Sequence, residues 1–211
     1  VTYLSSINQP YPCMKNWPNV DFVIFDLGNV LIDIDYQRSL SLIKAELPST
    51  FHERVDGCYA AEFHKAYERG ELDSFSFRNA FRDYFEQSWT DAEVDFLWNS
   101  LLGELPAHRL ELVRRLKARY QVGILSNTNE IHVEAVHALL QAKHGMKNFF
   151  PLFDRVFYSQ EMGLAKPSAA IYHQMILELK TTPSRILFFD DLLANVEGAA
   201  AVGIQAIQVT G

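Results

Sequence analysis

Cysteine, basic runs and long apolar segments are all scarce in this chain. Only Cys13 and Cys58 occur in 211 residues, far apart and without metal-ligand spacing, which speaks against a disulfide scaffold or a zinc site. Two free thiols in a reducing compartment are expected, and with them a cytoplasmic location. No run of Lys and Arg stands out, and the net charge is −7, so a nucleic-acid partner is not expected. No apolar stretch approaches the roughly 20 residues of a membrane span, so no membrane association is expected either. Internal repeats and low-complexity tracts are absent as well. An acidic protein that binds an anion must supply positive charge locally, from a lysine, a helix N-terminus or a metal.

What the chain does have is a composition and length suited to one good core plus a small subdomain, with 48% hydrophobic and 21% charged residues. Residues 1–20 carry three prolines and read as an irregular extension laid over the surface, pinned by Tyr11 and Trp17. Val23-Ile24-Phe25 then runs into Asp26, with Gly28 and Asn29 directly after. An apolar run ending in an acid is how a buried parallel strand delivers a carboxylate to the carboxyl edge of a sheet. Open α/β sheets place their chemistry at that edge.

From Tyr36 to about Glu104 the pattern is helical and rich in aromatics, with no strand of comparable quality. Asp73 or Ser74 is set to cap a helix carrying Phe77, Phe81 and Phe85, and Thr90 with Glu93 forms a capping box. The block is too long for a simple crossover and reads as an inserted subdomain. Further strands are expected at Gln121–Ser126, Arg155–Tyr158, Ile186–Phe189 and Ile204–Val209, with helices between them. Alternating strands and helices imply a parallel three-layer α/β sheet.

Four strand exits carry polar groups: Asp26, Ser126-Asn127, Lys166 and Asp190-Asp191. Separately each has an ordinary explanation, such as a helix cap, a solvated lysine or a capped turn. Together, at one edge of one sheet, they suit phosphoryl transfer. Asp26 can attack phosphorus as a carboxylate nucleophile. Asp190 and Asp191 supply hard oxygen ligands for Mg²⁺, which offsets repulsion between an anionic nucleophile and a dianionic ester. The Ser126 hydroxyl and nearby N–H groups can hold phosphoryl oxygens, and Lys166 adds positive charge.

The four motifs resemble, in this order, those of the haloacid dehalogenase superfamily of aspartate-nucleophile phosphatases. They are Phe25-Asp26-Leu27-Gly28-Asn29-Val30, Leu125-Ser126-Asn127, Lys166-Pro167, and Phe189-Asp190-Asp191 with Asn195 and Gly198. Their wording is similar to a bacterial sugar-phosphate phosphatase branch that includes glucose-1-phosphate phosphatases. The resemblance implies a Rossmann-like core over residues 21–35 and 105–211 and a helical cap over 36–104. It implies a Mg²⁺ site built on Asp26, the Gly28 carbonyl and Asp191, with Asp190 as a further candidate. It also implies phosphate binding by Ser126, Asn127 and Lys166, with Asn195 orienting the acidic loop. Substrate contacts from the cap are expected within Glu62 to Gly70, with His64, Tyr67 and Arg69 foremost.

One departure matters. Most phosphatases of the superfamily carry a second aspartate two positions after the nucleophile, to protonate the leaving group; here that position is Gly28. A glycine keeps the backbone carbonyl for the metal but not the acid, and Asp33 and Asp35 are the nearest replacements in sequence. The expected activity is a Mg²⁺-dependent phosphomonoesterase on small phosphorylated metabolites, sugar phosphates first, working as a monomer or weak homodimer. A metal-independent dehalogenase is the enzymatic rival, disfavoured because paired acids would oppose a departing halide. A phosphate-binding regulatory protein that lost turnover with the acid at position 28 is the non-enzymatic one.

Overall fold

A computed structural model describes residues 17–210. Strand β1 (Phe22–Phe25) is flanked by β2 (Gln121–Ser126) and β4 (Ile186–Asp190), and the edges are β3 (Arg155–Tyr158) and β5 (Gln205–Gln208). All four pairings are parallel, in the order β3-β2-β1-β4-β5. Phe25 lies level with Ile124 on one side and Phe189 on the other, so residues just beyond these positions share one carboxyl edge.

The central strand is apolar on both faces because both faces are covered. Val23 and Phe25 pack with Leu110, Val113 and Leu116 of α6 (Ala107–Lys117) and with Val136 and Leu140 of α7 (Glu130–His144). Phe22 and Ile24 face Ile171, Tyr172, Met175 and Leu179 of α9 (Ala169–Leu179) and Ala199 of α10 (Leu193–Ala201). The result is a three-layer α/β fold. Gly198 lets α10 approach the lysine loop, since a Cβ there would lie 2.6 Å from the Pro167 carbonyl oxygen.

Between β1 and α6 lie five α-helices, α1 (Tyr36–Ala45), α2 (His52–Gly57), α3 (Glu62–Glu68), α4 (Ser74–Phe85) and α5 (Asp91–Asn99), with short 3-10 turns at Ser49–Phe51 and Cys58–Ala60. They enclose an aromatic cluster of Tyr67, Phe77, Phe81, Phe85 and Trp98. Asp73 caps α4 by accepting from the Ser76 N–H at 2.7 Å. Thr90 and Glu93 form the expected capping box on α5. The chain enters and leaves this block through two adjacent segments, bridged at Ile34 and Leu102 and bonded from Asp33 N to Glu104 O and from Asp35 N to Leu101 O, each 2.8 Å.

One short helix, α8 (Ser159–Met162), follows β3 where no element was expected. Trp17 packs edge-on against Tyr120 and Phe189 as anticipated, while Tyr11 and Cys13 lie outside the described residues. Cys58 is a buried free thiol whose pKa burial pushes up to about 12, so it is an inert core residue. No helix among the described residues is long and apolar enough to cross a membrane.

Candidate active site

Asp26 follows the last residue of β1, and its N–H donates to the Phe189 carbonyl at 2.7 Å, which carries the sheet ladder one step past the strand. Asp190 ends β4 beside it, fully buried. Lys166 reaches between them from the loop after α8, its Nζ 2.7 Å from Asp26 Oδ1 and 2.6 Å from Asp190 Oδ2. Burial alone would pull the lysine pKa down, but the two carboxylates reverse this and hold it above its usual value. Asp26 is pushed up to about 6, chiefly by burial and also by the like charge of Asp190, against the opposing pull of Lys166. Oδ1 is tied to the ammonium, and a backbone bond from Leu27 also favours the ionised carboxylate.

Asp190 is saturated with donors. Besides Lys166 it accepts from the Leu192 N–H at 2.9 Å and from Asn195 Nδ2 at 3.0 and 3.1 Å. It therefore anchors Lys166 and the acidic loop. Asp191 is partly exposed and accepts one bond on Oδ2, from Asn29 Nδ2 at 2.9 Å. Carboxylate oxygens of Asp26, Asp190 and Asp191 lie within 4.8 Å of one another. Three hard oxygen donors in that space fit a small divalent cation such as Mg²⁺. The spare oxygen on Asp191 makes it a better ligand than Asp190.

The residues expected to bind phosphate and to support the acidic loop are placed as follows. Asn127 is expected to bind phosphate, and both polar atoms of its side chain are spent on Lys166, which leaves only its backbone for that role: Nδ2 donates to the Lys166 carbonyl at 2.9 Å, and Oδ1 accepts the Lys166 N–H at 2.8 Å. It clamps the backbone that carries the lysine. Ser126 is buried, and its Oγ makes only a long 3.4 Å bond to the Asn127 carbonyl, so it is available to a ligand. Asn195 does orient Asp190, as expected.

The three residues expected to reach substrate from the helical block fare differently. Tyr67 is buried, its hydroxyl 2.7 Å from Ser74 Oγ and accepting the Ile131 N–H at 3.1 Å, so it joins the block to α7 instead. Arg69 is held by Glu62 and Glu71 at 2.7 and 2.6 Å. His64 is mostly buried, with Nδ1 donating to the Tyr59 carbonyl at 2.7 Å and Nε2 3.4 Å from Glu68. Tyr36 lies close enough to the site for the charges of Asp191 and Asp26 to reach its hydroxyl. Its ring packs edge-on against Tyr59, it keeps 49% exposure, and its pKa is pushed up to about 12 by burial and by the negative charges of Glu68, Asp191 and Asp26. An aromatic placed at the first turn after the Asp33-Ile34-Asp35 segment was the available sequence signal.

The missing acid has a structural counterpart. A Cβ on Gly28 would lie 3.2 Å from Ile34 Cγ1, so an apolar side chain stands where the second carboxylate would start. Asp33 and Asp35 do not replace it: Asp33 pairs with Arg109 at 2.8 Å, and Asp35 caps α1 by accepting the Arg38 N–H at 2.9 Å.

The family model of haloacid dehalogenase-like hydrolases matches residues 20–203 of this chain. The chain belongs to that family. As a haloacid dehalogenase-like hydrolase it is 27% identical to D-ribitol-5-phosphate phosphatase of Bacteroides thetaiotaomicron over 187 residues, 88% of this chain and 90% of that protein. A haloacid dehalogenase family enzyme of the same organism, solved with magnesium and inorganic phosphate, matches it with a TM-score of 0.81 at 27% identity, covering 90% of this chain and 93% of that one. An L-2-haloacid dehalogenase from Xanthobacter autotrophicus shares the fold, with a TM-score of 0.62 at 19% identity over 90% of this chain and 77% of the other.

Proposed function

We propose that this hydrolase is a Mg²⁺-dependent phosphomonoesterase for small phosphorylated metabolites, sugar and polyol phosphates foremost. The observation that carries the reading is the buried Lys166 bridging Asp26 and Asp190, which leaves one oxygen of Asp26 outside the ion pair at the carboxyl edge of the sheet. Support for the substrate class comes from the likeness to D-ribitol-5-phosphate phosphatase.

In this reading Asp26 attacks phosphorus, the bond from phosphorus to the ester oxygen breaks, and the alcohol leaves with a proton taken from solvent or a neighbouring group. Water then attacks the aspartyl-phosphate at phosphorus, releasing inorganic phosphate and restoring the carboxylate. Lys166 keeps Asp26 ionised near neutral pH and offsets charge on the phosphoryl oxygens, which Ser126 also contacts. Asp26, Asp191 and the Gly28 carbonyl would hold the cation, whose positive charge lowers the repulsion between carboxylate and ester. The helical block over residues 36–104 serves as the cap, with the half-exposed Tyr36 toward the substrate's hydroxyl groups. Three carboxylates around the site disfavour halide departure, so the dehalogenase alternative is not preferred.

The test is phosphate release from a panel of sugar, polyol and alkyl phosphates, with Mg²⁺ and with chelator. The unaltered protein should be active only with the cation, and Asp26→Asn should lose activity while keeping its circular dichroism spectrum. Equal rates with chelator, or turnover in Asp26→Asn, would refute the proposal.

A further inference from the structure

Asn29 stands outside the catalytic set described so far, yet it is built into the site with unusual care. Its φ is +53°, a left-handed conformation that asparagine tolerates better than most residues. Its N–H donates to the Ile32 carbonyl at 2.7 Å, which closes the turn after Gly28. Its Oδ1 accepts the Ile34 N–H at 3.0 Å, and its Nδ2 donates to Asp191 Oδ2 at 2.9 Å. The amide orientation follows from these partners. Reversed, the oxygen would face a carboxylate and the NH₂ group would face an N–H, and both contacts would be repulsive.

We infer that Asn29 is a positioning residue for the cation site, holding the Asp191 carboxylate in place and tying it to the paired segments through which the chain enters and leaves the helical block. The inference rests on the reading of Asp191 as the principal metal carboxylate. The bond to Asn29 occupies Oδ2 and leaves Oδ1 without a hydrogen bond among the described residues, so the free oxygen has a defined direction. The Gln208 side chain fixes the other end of the residue by donating to the Asp191 carbonyl at 2.9 Å. Between these two anchors the carboxylate has little rotation to lose when a cation arrives. The second tether, through Ile34, is to the segment bridged with Leu102, so one side chain links Asp191 to the connections of the helical block. A purely structural turn asparagine would bond only the local backbone, as Oδ1 does with Ile34, and would have no use for the bond to Asp191; glycine satisfies the same backbone.

That last point supplies the experiment. Asn29→Gly removes the amide while favouring the left-handed backbone, so the fold has no reason to fail. Mg²⁺ binding by calorimetry on the full chain should weaken about 10- to 100-fold, the usual cost of losing a group that orients a metal ligand. The Mg²⁺ concentration for half-maximal phosphate release should rise by the same factor. The cation-free melting temperature should move little. Asp191→Asn, measured in parallel, separates this inference from the metal assignment. If the unaltered protein binds no Mg²⁺, or Asp191→Asn binds it normally, the metal reading fails and the inference with it. If Asp191→Asn loses binding while Asn29→Gly stays within twofold of the parent, only the role of Asn29 is refuted. A lower melting temperature with unchanged Mg²⁺ affinity would refute it too, reducing Asn29 to a turn residue.

Discussion

Acid should loosen the joint between the helical block and the sheet core through one histidine. His132 lies in the first turn of α7, stacked on Trp98 of α5 with ring centroids 5.3 Å apart and planes 8° from parallel. Asn129 caps the helix with Oδ1 accepting the His132 N–H at 3.0 Å, which turns its Nδ2 toward the ring Nδ1, also at 3.0 Å. Nδ1 must therefore be the acceptor, and Nε2 carries the hydrogen donated to the Trp98 carbonyl at 3.1 Å. A second proton would set an N–H against the asparagine NH₂ group, and that group cannot turn over without giving up the helix cap. Burial is the largest reason the pKa falls, to about 4 from an ordinary 6.5. A folded-state pKa below the unfolded value gives stability that is whole above about pH 6.5 and is lost as pH falls toward 4. The full loss is about 3 kcal/mol, and about 2 kcal/mol of it is gone by pH 5. Urea unfolding of the parent and of His132→Gln at pH 7, 6, 5 and 4.5 measures the difference directly. The parent should lose more stability than the variant by about these amounts over that range. Parallel curves for the two proteins would refute the reasoning, as would a ring proton resonance of His132 that follows an ordinary pKa near 6.5.

Two further outcomes are expected. Asn127→Ala should cost about 2 kcal/mol, one modest bond each for the Lys166 N–H and carbonyl, and should lower kcat, checked by urea unfolding and steady-state phosphate release; full activity would show that the lysine loop needs no clamp. Because Gly28 and Ile34 leave no acid at the usual position, the rate should climb steeply with leaving-group acidity across a phosphate ester series, since a placed general acid is worth about 10² to 10⁴ in rate. A shallow dependence would mean another donor is already in place, with Glu68 and Tyr36 the first to replace.

The core was readable from sequence because parallel strands covered on both sides are continuous apolar runs, and Phe22–Phe25, Gln121–Ser126 and Ile186–Asp190 are of that kind. Caps were readable because Asp73 and Thr90 act on N–H groups three residues away. The grouping of Asp26, Lys166 and Asp190 followed from their common place at strand exits. What escaped was the direction of side chains whose partners are remote in the chain. Nothing near Asn127 says that its amide faces the backbone of residue 166, and nothing near Asn29 announces a bond to Asp191. The only local hint for Asn29 was an asparagine directly after a glycine at a strand exit. Tyr67 was misplaced for a related reason: a helix that faces both a cleft and a core shows aromatics on either side, and burial decides which is which.

The position of β1 at the middle of the sheet carries a consequence for the order in which the chain emerges from the ribosome. Phe25 pairs with Ile124 and with Phe189, so β1 is flanked by strands whose residues follow only after the whole helical block, β4 later still than β2. No sheet can close until then, whereas the aromatic cluster of the block draws nearly all its members from one continuous stretch of chain. A wholly apolar strand thus waits unpaired while the helical block is made, the circumstance in which edge pairing with another chain competes with folding. The same sealed centre that holds Asp26 in place is, until its neighbours are made, an exposed liability.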